Sequence, residues 1–196
     1  MAAEALLFDL DGTLGDTHPW YAVALAACCD CTAEDLCIRI KAGEAAIKLA
    51  QDFGVRSEFL RNCREAAPGL PLYEGVREVL RQLQERGTAL AVVSNQSPQV
   101  ADALLTGSGL RRHFSAIVAA QRGIPRKPSP APILEAIRRL GLKPSNDMFY
   151  VGDDLNDETS ARRAGIAFAW ARYGYQYSLP QNPDAVLERF EDVLKL

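Results

Sequence analysis

No stretch of the 196 residues stays apolar long enough to cross a bilayer, which excludes a membrane-embedded helix. The opening MAAE has no basic residue, and the short apolar run after it ends in an aspartate. That pattern is not a secretion signal, and the expected compartment is the cytoplasm. Lysine and arginine are scattered rather than massed, and the net charge is −3, so there is no electrostatic footprint for nucleic acid. The expected partner is a small molecule. Histidine occurs twice, at His18 and His113, and neither lies between Cys28 and Cys63, where all five cysteines sit. The cluster Cys28, Cys29 and Cys31 matches no common zinc spacing, so reduced, buried thiols are expected there. Repeats are absent, and GSG at 107–109 has no phosphate-loop lysine after it, so it reads as a helix terminator.

What is present is an ordinary globular composition, 48% hydrophobic and 24% charged, enough for one medium domain or a core with an insertion. The run ALLF at 5–8 is bounded by Gly12 and reads as a buried strand. From Thr17 to about residue 70 only helical patterns occur, as in PWYAVALAACC and TAEDLCIRIKAGEAAIKLAQDFG. Pro/Gly-rich segments, THP and PGLPLYEG, bound this insertion.

From Glu74 strands and helices alternate. EGVREVLRQLQERG sets Val76, Val79, Leu80 and Leu83 on one helical face and stops at Gly87. TALAVVSN is a buried strand, Ser97 and Pro98 cap a helix to about Thr106, and FSAIVAA is a third strand. A helix ending at Gly141, strands in DMFYVGDD and IAFAWA, and a short edge strand plus a final helix in DAVLERFEDVLKL complete the pattern. The expected fold is α/β, a doubly wound Rossmann-like parallel sheet with a small all-helical cap inserted after the first strand. The expected domains are a core over 1–16 and 72–196 and a cap over 17–71.

Three strands end in polar signatures: Asp9 and Asp11, Ser94 and Asn95, Asp153 and Asp154. In a parallel sheet these ends share one edge, where ligands bind. Lys127, in a loop just before a helix, is expected to swing a point charge over the same crevice. Two carboxylates as close as Asp9 and Asp11 repel, which calls for a proton or metal ion between them. A carboxylate nucleophile, a hydroxyl, a lysine and an acidic cluster suit the handling of a phosphoryl group with a divalent ion.

DLDGTLGD, the strand-ending VSN, Lys127 and VGDDLND resemble, in order, the four motifs of the haloacid dehalogenase-like hydrolases, in their phosphatase branch. The resemblance covers 4–16 and 74–175. KPSPAPI and RYGY look most like the phosphoglycolate phosphatases, with β-phosphoglucomutases next. It implies that Asp9 attacks phosphorus to give an aspartyl-phosphate and that Asp11 protonates the leaving oxygen and then activates water. It implies Mg²⁺ held by Asp9, Asp153 and the Asp11 carbonyl, with Asp154 and Asp157 as auxiliary ligands. Ser94, Asn95, Lys127 and the amides of Gly12 and Thr13 are implied to hold phosphoryl oxygens. A dehalogenase is disfavoured because that branch does not keep the second aspartate. A phosphomutase and a catalytically silent binding protein of the same fold are the alternatives.

Three features depart from the family's pattern. Gly15 stands where relatives have a β-branched residue, which is expected to loosen the exit to the insertion. Asp154 replaces a serine or threonine and adds negative charge near the metal. The insertion is short. His18 is placed either lining the site or at the hinge, and His113 on the surface at a helix end. For Trp20, Tyr21 and Lys48, core packing or solvent exposure is favoured over substrate contact.

Overall fold

A computed structural model describes residues 3–175 and 178–196. The strands are β1 (Ala5–Phe8), β2 (Ala89–Val93), β3 (Ala116–Val118), β4 (Met148–Gly152), β5 (Ala167–Ala171) and β6 (Ala185–Leu187). They form one sheet in the order β3-β2-β1-β4-β5-β6, and every pairing is parallel. The order reverses at β1, so a crevice opens beyond the carboxyl ends of β1, β2 and β4.

Side chains alternate across the sheet with period two. Leu6 and Phe8 of β1 face the cluster holding Val79, Leu80, Leu104 and Phe190, while Ala5 and Leu7 face Ile133, Ile137 and Ala161. The first side carries α5 (Val76–Glu85) and α6 (Pro98–Gly107), and the second carries α7 (Ala131–Arg139) and α8 (Leu155–Ala164). Local chemistry sets the helix ends. Ser97 Oγ accepts from the Val100 amide at 3.3 Å with Pro98 in the first turn of α6, and Gly165 ends α8 at φ 75°. Beyond β6 the chain closes in a 3₁₀ helix, Phe190–Lys195, which replaces the expected α-helix. No helix among the described residues is long and apolar enough to cross a membrane.

Between Asp16 and the 3₁₀ turn Ala67–Gly69 lie four helices, α1 (Thr17–Ala26), α2 (Ala33–Lys41), α3 (Ala46–Asp52) and α4 (Arg56–Ala66). Their buried face, with Tyr21, Leu25, Leu36, Leu49 and Phe59, runs on into the apolar cluster beneath β1. The entry is tight, which corrects the expectation for Gly15. Gly15 bridges both Asp11 and Leu72, the Asp16 amide donates to the Pro71 carbonyl at 2.9 Å, and a Cβ on Gly15 would sit 2.9 Å from that carbonyl. Glycine here permits a close approach of two backbones. His113 is also corrected: it is buried, with Nδ1 2.6 Å from Gln84 Oε1.

Candidate active site

The site is built where the ladders of β1, β2 and β4 run out. The Asp9 amide still bonds to Val151 O and the Ser94 amide to Val118 O, both at 2.9 Å, so each side chain leaves the sheet from a fixed backbone. After Asp9 the chain turns sharply. Gly12 takes φ +73°, and a Cβ there would lie 2.5 Å from Asp153 Oδ2 and 2.6 Å from the Tyr175 ring. Only glycine fits that turn without displacing Asp153.

Lys127 lies under the site. Its Nζ is 2.8 Å from Asp9 Oδ1, 2.7 Å from Asp157 Oδ1 and 2.8 Å from Tyr150 Oη, which in turn donates to Val93 O at 2.7 Å. The expected swinging lysine is instead a buried, fully engaged cation. Asn95 holds its backbone: the Lys127 amide donates to Asn95 Oδ1 at 2.9 Å, and Asn95 Nδ2 donates to Lys127 O at 3.1 Å. Burial opposes the lysine's charge, and the adjacent carboxylates of Asp157 and Asp9 outweigh it, so its pKa is raised. Burial raises Asp9 well above the usual carboxylate range, against the pull of Lys127, and burial likewise raises Asp153 and Asp157.

One carboxylate oxygen each from Asp9, Asp153 and Asp157 lies within 4.8 Å of the others. Asp9 Oδ1 is buried and, among the described residues, accepts no hydrogen bond despite the nearby ammonium. Asp153 accepts from Thr13 Oγ1 at 3.3 Å and from the Tyr175 amide at 3.1 Å. Asp157 is more committed, with Oδ1 on Lys127 and Oδ2 taking the amides of Asp153 and Asp154 at 3.1 and 3.3 Å. An under-bonded oxygen among crowded buried carboxylates is a donor set that suits a hard divalent cation, with Asp9 and Asp153 the less encumbered ligands.

The remaining predicted residues take varied places. Asp154 is the N-cap of α8, accepting from the Asp157 amide at 2.9 Å, and its carboxylate lies outside the acidic cluster. Asp11 stands across the turn, where Oδ1 accepts from Thr17 Oγ1 and, at 2.9 Å, from Tyr21 Oη. Ser94 is buried and its Oγ accepts from the Gln96 amide at 3.1 Å. The Gly12 amide, expected as a phosphate donor, is engaged by Gly15 O at 3.0 Å.

Above these residues is a cavity of about 480 Å³, walled by Asp9, Asp11, Ser94 and Lys127 from the core and by His18, Tyr21 and the α2–α3 turn from the helical insertion. His18 therefore lines the site, stacked on Tyr175 with ring centroids 4.0 Å apart, and burial lowers its pKa. Tyr21 is both core and site. Trp20 is buried, and Lys48 is an exposed partner of Asp52. Sequence reasoning missed Thr17, Tyr150 and Tyr175. Tyr175 sits inside the RYGY segment, but its bonds to the Thr17 and His18 amides (2.7 and 2.9 Å) join positions about 158 residues apart.

The model of the haloacid dehalogenase-like hydrolases matches residues 6–171. The chain belongs to the haloacid dehalogenase-like hydrolases. Among curated relatives, it is 38% identical over 131 residues to a phosphoglycolate phosphatase of Pectobacterium atrosepticum. That match covers 65% of this chain and only 56% of that enzyme's length. An N-acetylmuramic acid 6-phosphate phosphatase of Pseudomonas aeruginosa is 32% identical over 191 residues, covering 89% of this chain and 84% of the relative. Among solved structures, a predicted phosphoglycolate phosphatase from Haemophilus somnus superposes with a TM-score of 0.78 at 27% identity, covering 98% of this chain and 97% of that one. In this haloacid dehalogenase-like hydrolase the family's α/β fold presents Asp9, Lys127 and Asp153 together at the sheet edge.

Proposed function

We propose that this hydrolase is a Mg²⁺-dependent phosphatase of small phosphorylated metabolites, acting through an aspartyl-phosphate on Asp9, with a phosphoglycolate-like ester favoured. The observation that carries the reading is Asp9: a buried carboxylate at a strand end, under-bonded, braced by Lys127 and open to a cavity sized for a small metabolite. The phosphatase names of the relatives support the same reading. No pair among the five cysteines is bonded, which suits a reducing compartment such as the cytoplasm.

An Asp9 oxygen attacks phosphorus while the bond to the ester oxygen breaks, and Asp11 gives its proton to that leaving oxygen. Thr17 and Tyr21 hold Asp11 by Oδ1, which leaves Oδ2 to exchange the proton. Asp11 then takes a proton from water as the water oxygen attacks phosphorus, releasing phosphate and restoring Asp9. Lys127 stabilises negative charge on the Asp9 side, and Ser94 lines the same cavity. Mg²⁺, held by Asp9 and Asp153, would supply charge neutralisation of the phosphoryl oxygens.

Phosphate release from a panel of small esters including 2-phosphoglycolate, with and without Mg²⁺, tests the reading against Asp9→Asn. Turnover that needs both, with no sugar bisphosphate activator, is expected. Turnover only in the presence of such an activator would make the protein a mutase, and none on any ester would leave a silent binding protein.

A further inference from the structure

Behind the catalytic turn, and apart from the catalytic cavity, lies a second cavity of about 200 Å³. Its walls come from three places in the chain. Tyr73 and Glu74 stand where the helical insertion returns to the core, Tyr173 follows β5, and Arg189, Phe190 and Glu191 open the terminal 3₁₀ helix. The three rings stand as walls rather than as a stack. Tyr73 and Tyr173 meet at 69° with centroids 4.9 Å apart, and Tyr173 and Phe190 at 74° with centroids 6.4 Å apart. Two of the walls are anchored on the catalytic turn: the Tyr173 hydroxyl donates to Thr13 O at 3.0 Å, and the Tyr73 amide donates to Leu14 O at 3.2 Å. With its hydroxyl engaged by the backbone, Tyr173 brings mainly its ring to the cavity.

The charges on the wall are loosely matched. The Glu74 carboxylate makes no ion pair and accepts no hydrogen bond among the described residues. Glu191 meets only Arg189, at 4.0 Å and without a hydrogen bond. A Cβ on Gly75 would strike the Glu191 carboxylate, so a bare backbone seats that group beside the rings. Burial, then Tyr73, Asp153 and Glu191, raise the Tyr173 pKa, which puts the Glu191 charge within reach of that ring. Arg189 is 74% exposed and is also 4.0 Å from Asp192. Two carboxylates against one guanidinium leave the wall with a net negative charge.

This chemistry selects among guests. Two carboxylates repel an anion, and a neutral apolar molecule leaves both of them unanswered. A small, strongly hydrated metal ion gains little from three rings. A weakly hydrated cation with an apolar surface is attracted by the faces of the rings and by the acids together. We propose that Tyr73, Tyr173 and Phe190, with Glu74 and Glu191, form a binding site for a small organic ammonium ion. The site stands independently of the phosphatase reading, because none of its wall residues lines the catalytic cavity.

The test is a proton NMR titration of the full chain at constant ionic strength. The probes are choline, butylammonium, and the neutral alcohol in which carbon replaces the nitrogen of choline. At least one ammonium ion is expected to saturate and to bind about tenfold or more tightly than the alcohol, and which one does so identifies a quaternary or a primary class. Glu191→Gln and Tyr73→Leu should each weaken that binding about threefold or more, whereas Tyr73→Phe, which keeps the ring, should retain it. Glu191→Gln alters one charge on a partly exposed side chain, so it carries the test should Tyr73→Leu fold poorly. No saturation by either ion, equal binding of the alcohol, displacement by an equal concentration of K⁺, or affinity unchanged in Glu191→Gln would overturn the proposal.

Discussion

Replacing Lys127 with methionine isolates what holds the floor of the site together. The methionine keeps the apolar stem but removes an ammonium that lies within 2.8 Å of Asp9 and 2.7 Å of Asp157. Breaking a buried ion pair from one side costs about 3–5 kcal/mol, because the remaining charge is buried without compensation. At about 2–4 °C per kcal/mol for a chain of this size, melting should fall by roughly 6–20 °C in chelator at neutral pH. The pH dependence follows from the acids. Burial already raises Asp9 and Asp157 above the ordinary value of 3.8, and losing the lysine removes the influence that lowers them. An acid with a raised folded pKa ionises first in the unfolded chain. The penalty therefore accumulates as pH rises from the ordinary carboxylate value to the folded one, and is complete above it. Circular dichroism melts from acid to neutral pH should show the gap between variant and parent widening with pH. Adding Asp157→Asn, which removes one of the two stranded charges, should recover part of the loss. A melting point within about 2 °C of the parent at neutral pH, or a gap that does not shrink in acid, would show that Lys127 does not hold these carboxylates in place.

Gly12→Ala must put a Cβ 2.5 Å from Asp153 Oδ2 at a left-handed residue, which should cost about 1–2 kcal/mol from the backbone alone and abolish turnover, read by melting and phosphate release. Ser97→Ala removes the oxygen that accepts the Val100 amide and should cost about 1 kcal/mol by urea unfolding without changing turnover. Burial pushes the Cys63 thiol up to about 12, so iodoacetamide near pH 8 should leave it unlabelled by mass spectrometry until the chain unfolds, while Cys31 and Cys37, half-exposed, react first.

The sheet was legible because its signals are local. Each strand is a short apolar run, each helix carries a periodic face or a cap, and polar residues at three strand ends mark the edge that binds ligand. The meeting of Asp9 and Asp153 was legible for the same reason, since a parallel sheet dictates that those strand ends converge, whereas Lys127 reads only as a loop residue just before a helix. What escaped was set by tertiary contact. The depth of Lys127 depends on Tyr150, which reads in sequence as one more apolar strand residue but offers its hydroxyl to the lysine inside the core. His113 looked like a surface residue because its partner, Gln84, lies 29 positions away. Gly15 read as slack in the chain, whereas its bareness lets the Pro71 carbonyl approach.

Chemical identification of the covalent intermediate tests Asp9 as the nucleophile. The protein is quenched during turnover of 2-phosphoglycolate with Mg²⁺, treated with borohydride, which reduces an acyl phosphate to an alcohol, and digested for mass spectrometry. Homoserine is expected in place of aspartate at position 9 and nowhere else. Steady turnover with an unmodified Asp9, or reduction at Asp11 or Asp153 instead, would contradict it.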